Sequence, residues 1–97
     1  MITSTLDVEY QPSVEVFNWV IVKLKDNDGN ITEHVAGNEC LGYARVSTAI
    51  VEVGEGYAVT KSGRKYVLKG EESKFPSRDA AYVLGAFKRI NELEEVK

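Results

Sequence analysis

Residues 43–70 have the sequence YARVSTAIVEVGEGYAVTKSGRKYVLKG and contain the clearest structural signals in this chain. Glycine-containing breaks at 54–56 and 61–64 separate three segments rich in β-branched and aromatic residues, which favour strands. The second break places a two-residue Ser-Gly loop between its flanking segments, a length typical of β-hairpins. In the last segment Lys65, Val67 and Lys69 alternate with Tyr66 and Leu68, as in a strand with one polar or mixed face and one apolar face. The stretch therefore predicts an antiparallel meander of three strands.

Earlier residues predict further strands of the same sheet. Residues 2–10 alternate between polar and apolar positions, which is typical of a half-buried strand. Residues 14–25 are rich in Val, Ile, Phe and Trp and predict a central strand covered on both faces toward its middle. The Asp-Asn-Asp-Gly-Asn sequence at 26–30 is a strong turn signal, and it joins this strand to a shorter antiparallel return at 31–36.

The C-terminal part predicts one amphipathic helix over residues 77–95. Ser77 is a suitable N-cap and Asp79 lies in the first turn, where a negative charge meets the helix dipole. Gly85 predicts close approach of this helix to the sheet. We therefore expect an α+β fold: an antiparallel, strongly twisted or barrel-like sheet of four to six strands (1–70) and the helix. Its apolar stripe consists of Ala80, Val83, Leu84, Phe87 and Ile90.

Composition indicates a single soluble domain over residues 1–97. Hydrophobic residues make up 43% and charged residues 28% of the 97 positions, which is ordinary for a globular protein. The single cysteine, Cys40, excludes an internal disulfide, and we expect its thiol to be buried or half-buried as a small hydrophobic group. The first residues lack the features of a secretory signal, and the longest apolar run, 19–22, cannot span a bilayer. We expect a cytoplasmic protein that does not contact membranes.

No residue pattern predicts catalysis, a metal site or a cofactor. The single histidine, His34, is expected at an edge or on the surface, and Glu33 beside it on a strand points to the opposite face. No serine lies in a Gly-x-Ser-x-Gly turn. The Asp26 turn resembles the start of a calcium loop, but its twelfth position is Gly37 rather than the required glutamate. We expect a protein that is not an enzyme.

The charges are segregated along the chain. Residues 1–60 contain nine acids and three bases, whereas residues 61–91 contain eight bases and three acids. Such asymmetry bears on partners rather than on fold. One hypothesis is that the acidic part forms a surface that imitates the phosphate backbone of DNA. The alternative is that these acids only keep the protein soluble and discourage edge-to-edge association. The acidic candidates are Asp7, Glu9, Glu15, Asp26, Asp28, Glu33, Glu39 and Glu52.

The basic part supports a second hypothesis, a nucleic-acid-binding hairpin. Lysine and arginine neutralise phosphates, and exposed aromatic side chains can stack on bases. Tyr57 and Tyr66 lie on the same predicted hairpin as the basic residues. The alternative is a solvated hairpin tip whose tyrosines pack inward. The candidate residues are Lys61, Arg64, Lys65 and Lys69.

In its size, acidic N-terminal part, lack of catalytic motifs and sheet-plus-helix pattern, the chain resembles the type I-F anti-CRISPR proteins, small inhibitors encoded by phages and mobile elements. That group has no common sequence motif, so the resemblance assigns no individual residue. It implies a stoichiometric inhibitor in the host bacterial cytoplasm. Such an inhibitor would bind a crRNA-guided surveillance complex, at the positively charged DNA-entry surface of its large subunit, and exclude target DNA.

Overall fold

The computed structural model describes residues 13–40 and 42–96, so the strand predicted at 2–10 lies outside the described residues. Within them the chain forms strands and one helix. The strands of the predicted meander come after a hairpin of two earlier strands. In chain order, these elements are β1 (Val14–Lys25), β2 (Ile31–Asn38), β3 (Ala44–Val46), β4 (Ile50–Gly54), β5 (Tyr57–Thr60), β6 (Lys65–Leu68), α1 (Arg78–Asn91) and β7 (Glu94–Glu95).

The strands form one open mixed sheet with the order β3-β2-β1-β6-β5-β4, and β7 pairs with the far end of β1. The α+β prediction is confirmed, and the sheet does not close into a barrel. The antiparallel prediction differs at one pair, because β6 lies parallel to the start of β1. The first predicted strand of the meander also divides: β3 pairs with β2, and β4 pairs with β5. The β4–β6 meander is thus attached to the other side of β1.

A β-bulge divides β1 into two parts. Phe17 pairs with Asn38 and Val20 with Ala36, so β1 contains one more residue than β2 in this interval. Asn18 has a φ of 51°, in the left-handed region that asparagine tolerates. Gly37 lies against the bulge, where a Cβ atom would be 3.1 Å from the carbonyl oxygen of Phe17. The extra residue reverses which side chains of β1 point to each face of the sheet.

Because of this reversal, β1 contributes to two apolar clusters. The first, which we call the hairpin core, packs the start of β1 against β5 and β6. The second, the helix core, packs the later part of β1 against α1 through Leu84 and the partly buried Phe87. The hairpin core consists of Val14, Val16, Val35, Ala58 and Tyr66, and the helix core consists of Val20, Val22, Leu24, Ala36 and Leu84.

The helix begins as predicted and ends early. Ser77 is the N-cap, and its hydroxyl oxygen accepts a hydrogen bond from the backbone N–H of Ala80. Asn91 is the last helical residue, because Glu92 adopts the left-handed conformation with a φ of 54°. Residues 94–95 form β7 instead of a continued helix. The prediction of a helix to residue 95 is therefore wrong at its C-terminal end.

Two details of the predicted helix packing also differ. Ile90 is 80% exposed, because it lies at the edge of the stripe that contacts the sheet. Gly85 does not face the sheet: the nearest atom to a Cβ added there belongs to the Arg89 side chain, at 3.6 Å. Close approach of backbone is therefore not the reason for glycine at this position.

Candidate functional site

Strand β4 lies at an edge of the sheet that residues 13–40 and 42–96 form. In the part of the chain that the structure describes, it pairs with β5 only. Val51 and Val53 are each 64% exposed on this strand. The opposite edge, β3, has three residues, and its Val46 packs into the helix core beneath α1. An exposed apolar edge strand is a template for pairing with another extended chain, so β4 is the site best suited to an interaction.

A bulge at Val51 limits the regular part of this edge. Ile50 pairs with Thr60 and Glu52 pairs with Val59, which leaves Val51 as the extra residue. Beyond it, residues 52–54 pair regularly with β5. Ile50 packs against the hairpin core, so the start of β4 is anchored. The edge available for pairing is therefore the C-terminal part of β4.

An open cleft of about 720 Å³ lies beside this edge, and we call it the edge cleft. Its apolar walls come from β1, through Trp19 and Ile21, and from the meander, through Val53, Ala58 and Leu68. Trp19 is held in place because its indole N–H donates a hydrogen bond to the carbonyl oxygen of Gly70, at 3.1 Å. The cleft is thus a space between the two halves of the curved sheet.

Charged side chains line the rim of the edge cleft. Lys23 and Glu33 lie opposite each other in the β1–β2 register, and Glu72 lies at the same opening. The Glu72 carboxylate accepts a hydrogen bond from the backbone N–H of Ile21, at 3.0 Å. That amide belongs to the section of β1 between its pairings with β6 and with β7. Glu72 therefore satisfies a backbone donor that a neighbouring strand would otherwise satisfy.

The β4–β5 hairpin is acidic. Residues 46–60 include Glu52 and Glu55 and contain no lysine or arginine. The Tyr57 hydroxyl donates a hydrogen bond to the Glu52 carboxylate at 3.0 Å, and this bond raises the pKa of the phenol, with the charge of Glu52 adding to the effect. The ammonium group of Lys65 lies 4.6 Å from the centre of the Tyr57 ring. Tyr57 thus links the acidic edge to the basic hairpin.

The predicted basic hairpin forms, but its tyrosines are not exposed stacking platforms. Tyr66 is 4% exposed within the hairpin core, as in the alternative that packs the tyrosines inward. Tyr57 is half-buried and in contact with Lys65. The Lys69 ammonium group lies 4.0 Å from the Glu15 carboxylate. Lys61 is exposed at the hairpin turn, and Arg64 is half-buried there with contacts of its own.

The predicted acidic candidates are distributed over several elements. Asp7 and Glu9 lie outside the described residues. The Glu39 carboxylate is 2.7 Å from the Arg45 guanidinium. Asp26 accepts hydrogen bonds from the backbone N–H groups of Asp28 and Asn30, which close the β1–β2 turn. The remaining candidates are Glu15 beside Lys69, Asp28 in that turn, Glu33 at the cleft rim and Glu52 on β4.

The prediction that His34 lies at an edge or on the surface is wrong. Its side chain is 3% exposed, because His34 shares the helix-facing side of β2 with Ala36. Its Nδ1 atom lies 2.9 Å from the carbonyl oxygen of Ser47 and its Nε2 atom 2.7 Å from the Thr32 hydroxyl. The ring also makes an edge-to-face contact with Phe87, at 5.3 Å between centroids. His34 is therefore a structural residue of the core.

The prediction for Cys40 is also wrong, since the thiol is exposed. The residue lies in the tight turn that joins β2 to β3, where the Gly42 N–H donates a hydrogen bond to the carbonyl oxygen of Glu39. This turn is outside both cores. In the described residues no group of three or more His, Cys, Asp or Glu side chains could hold a metal ion.

Sequence patterns did not identify the residues that form the edge and its cleft. Val51 and Val53 belong to the first strand of the predicted meander, and only the strand order shows that they lie at an edge. Trp19 and Leu68 come together because β6 crosses to β1, which no local pattern encodes. The one available signal was the absence of basic residues from 46 to 60.

In the described residues, the fold and this site define a mixed-sheet α+β protein with an acidic and apolar edge strand. Comparison of the chain with protein-family models, with curated proteins and with solved structures gave no match. The helix in the described part of the chain is too short and too polar to cross a membrane.

Proposed function

We propose that this protein is a non-enzymatic binding protein that pairs the free edge of β4 with an extended, basic segment of a partner protein. The observation that carries the proposal is the exposure of Val51 and Val53 on an edge strand that has one neighbour in the described residues. Backbone hydrogen bonds along such an edge supply affinity, and side chains on alternate positions supply specificity.

Charge complementarity defines the chemistry of the partner segment. Glu52 and Glu55 flank the exposed edge, and no basic residue lies between 46 and 60. Positive charge on the partner would raise the association rate and suppress pairing with acidic strands, including a second copy of this hairpin. The partner segment is therefore an extended one that combines apolar residues with lysine or arginine.

The proposal is tested with synthetic peptides. A dye-labelled eight-residue peptide that alternates valine and lysine should bind the full chain in a fluorescence anisotropy titration. Two control peptides should not bind. One has glutamate in place of lysine, and in the other the amides that would face β4 are N-methylated. Binding of the N-methylated peptide equal to that of its parent would show attraction by charge alone and would contradict strand pairing.

A matched pair of protein variants locates the binding site. Val53→Lys places a charge on the edge, which natural proteins use to block strand pairing, and should abolish peptide binding. Ile90→Lys introduces the same charge at an exposed apolar residue on α1 and should leave binding unchanged. Equal loss in both variants, or in neither, would contradict the assignment to β4.

Inhibition of a type I-F surveillance complex stays a narrower prediction within this proposal. The DNA-entry surface implied by the resemblance is positively charged, and the acidic edge of β4 is proposed to bind a positively charged partner. In a gel-shift assay with the purified complex and its target duplex, the wild-type chain should prevent DNA binding and Val53→Lys should not. Unaltered DNA binding at a molar excess of the wild-type chain would rule out the surveillance complex as the partner.

Nucleic-acid binding by the basic hairpin is the competing prediction. The buried position of Tyr66 and the contact between Lys65 and Tyr57 give it less support than the edge, because stacking requires exposed aromatic faces. Anisotropy of a labelled duplex at low salt should show no binding. Salt-sensitive binding that is lost on Lys61→Ala and Lys65→Ala would instead favour the hairpin.

A further inference from the structure

The edge cleft lies where side chains of a segment paired with β4 would fall. Val53 belongs both to the edge and to the lining of the cleft, and it lies opposite Ala58 in the β4–β5 register. Successive residues of a strand point to opposite faces of the sheet. A segment beside β4 therefore directs every second side chain to the face that Val53 and Ala58 have in common, next to the cleft.

Small residues create the space in this cleft. Ala58 lies in the wall, and Gly54 and Gly56 line the cleft at the β4–β5 turn. A larger residue at Gly54 would force the Tyr57 ring to move, because an added Cβ would overlap it. The larger apolar groups, Trp19 and Leu68, stand on the other walls. A volume of about 720 Å³ falls within the usual range of ligand sites and can admit one large side chain.

The rim of the cleft has an excess of negative charge. Glu33 and Glu72 are carboxylates, and Lys23 is the one base of the rim within the described lining. The structure shows no ion pair between Lys23 and Glu33, although the two residues face each other in register. Residues two apart on a strand lie about 7 Å apart on one face. A basic residue two positions from the cleft-filling residue therefore lies on the same face, toward the cleft whose rim contains Glu33.

We propose that the edge cleft binds one leucine-sized or larger apolar side chain of the segment paired with β4, and that Glu33 contacts the lysine or arginine next to it on the same face. This assignment rests on the proposed function of β4. It specifies the recognised motif as a basic residue, any residue, then a large apolar residue, or the reverse order. The backbone edge supplies pairing, and the cleft selects the side chain.

The test uses Trp19, the only tryptophan of the chain, as a reporter inside the cleft. Two tryptophan-free peptides differ at one inward position, with leucine in one and alanine in the other. Anisotropy measures binding, and Trp19 emission measures entry into the cleft. We expect the leucine peptide to bind about tenfold more tightly, because its extra methyl and methylene groups leave water, and to shift the Trp19 emission to shorter wavelength.

A charge variant tests the role of Glu33. Glu33→Lys should weaken binding of the leucine peptide about tenfold, and the weakening should disappear when the neighbouring lysine of the peptide is replaced by norleucine. Glu94→Lys on β7 is the matched control and should bind like the wild type. Circular dichroism of both variants establishes that each is folded.

The outcomes separate the two proposals. Peptide binding that Val53→Lys abolishes, but that shows neither a leucine preference nor a Trp19 shift, would overturn the cleft assignment and leave strand pairing intact. Absence of binding for every peptide would overturn both. A concentration-dependent dimer in sedimentation velocity would assign the edge to a second copy of the chain and would also overturn both.

Discussion

Replacing His34 by alanine tests the prediction that the contacts of this buried side chain hold β2 in place beneath α1. The carbonyl oxygen of Ser47 can only accept, so Nδ1 of His34 carries the proton and donates to it. Nε2 forms a second hydrogen bond, with the Thr32 hydroxyl. Both ring nitrogens of His34 are therefore hydrogen-bonded, in a residue that is 3% exposed.

The cost of the substitution follows from these contacts. Leaving the Ser47 carbonyl without its donor costs about 1–3 kcal/mol. Losing the edge-to-face contact with Phe87 costs about 0.5–1.5 kcal/mol. We expect His34→Ala to lower the free energy of unfolding by about 3 kcal/mol. His34→Phe keeps a ring against Phe87 and loses both hydrogen bonds, so it should cost less than the alanine variant.

Urea unfolding followed by Trp19 fluorescence provides the assay. The midpoint should fall with an unchanged slope, which indicates lost stability rather than a changed unfolded state. Glu33→Ala is the control, because Glu33 is the exposed neighbour on the opposite face of β2, and such surface changes stay within about 0.5 kcal/mol. A loss for His34→Ala no larger than that of the control would refute the buried, hydrogen-bonded role of His34.

Three further changes should alter stability, each measured by urea unfolding. Ser77→Ala removes the N-cap acceptor of α1 and should cost about 1 kcal/mol; a wild-type midpoint would contradict the cap. Gly37→Ala places a Cβ 3.1 Å from the carbonyl oxygen of Phe17 and should be destabilising, since both groups belong to paired strands; equal stability would mean that the bulge can move aside. Hydrogen bonds from Asn30 lower the pKa of Asp26 below its ordinary value of 3.8. The stabilisation that the Asp26 carboxylate provides is therefore complete above pH 3.8 and is lost as the pH falls through the lower pKa of the folded state. Asp26→Asn should therefore reduce the fall of the urea midpoint below about pH 4, and an identical acid limb in both proteins would argue against this source.

Local signals predicted the local structure well. The turn at 26–30 forms because Asp26 can bond to backbone groups two and four residues ahead, and Asx residues do this in any fold. The Ser77 cap likewise depends on an acceptor near the first helical N–H groups. The hairpin of β5 and β6 closes at Gly63, which has a φ of 91°. These features involve residues a few positions apart and are visible in the sequence.

Long-range pairing was not predictable in the same way. The parallel contact of β1 with β6 joins Val14 to Tyr66, and no turn or periodicity encodes a partner so distant. The exposed edge of β4 is a consequence of that contact. The burial of His34 is likewise a long-range effect, because α1 covers the face of β2 on which the residue lies. Where the structure departs from prediction, tertiary packing assigned a face that local pattern left open.

The parallel pairing also changes the meaning of the charge distribution. The acidic part of the chain and the basic part are separate in sequence, but β1 and β6 bring them together, so that Glu15 lies 4.0 Å from Lys69. Glu39 is ion-paired with Arg45, and Asp26 is used within its own turn. The β4–β5 hairpin and the cleft rim contain further carboxylates, Glu52, Glu55, Glu33 and Glu72, for which the described part of the chain shows no ion pair with a lysine or arginine. Under the proposed function, an interaction driven by charge is accordingly expected at this edge, where Val51 and Val53 are exposed and β4 has one neighbouring strand among the described residues.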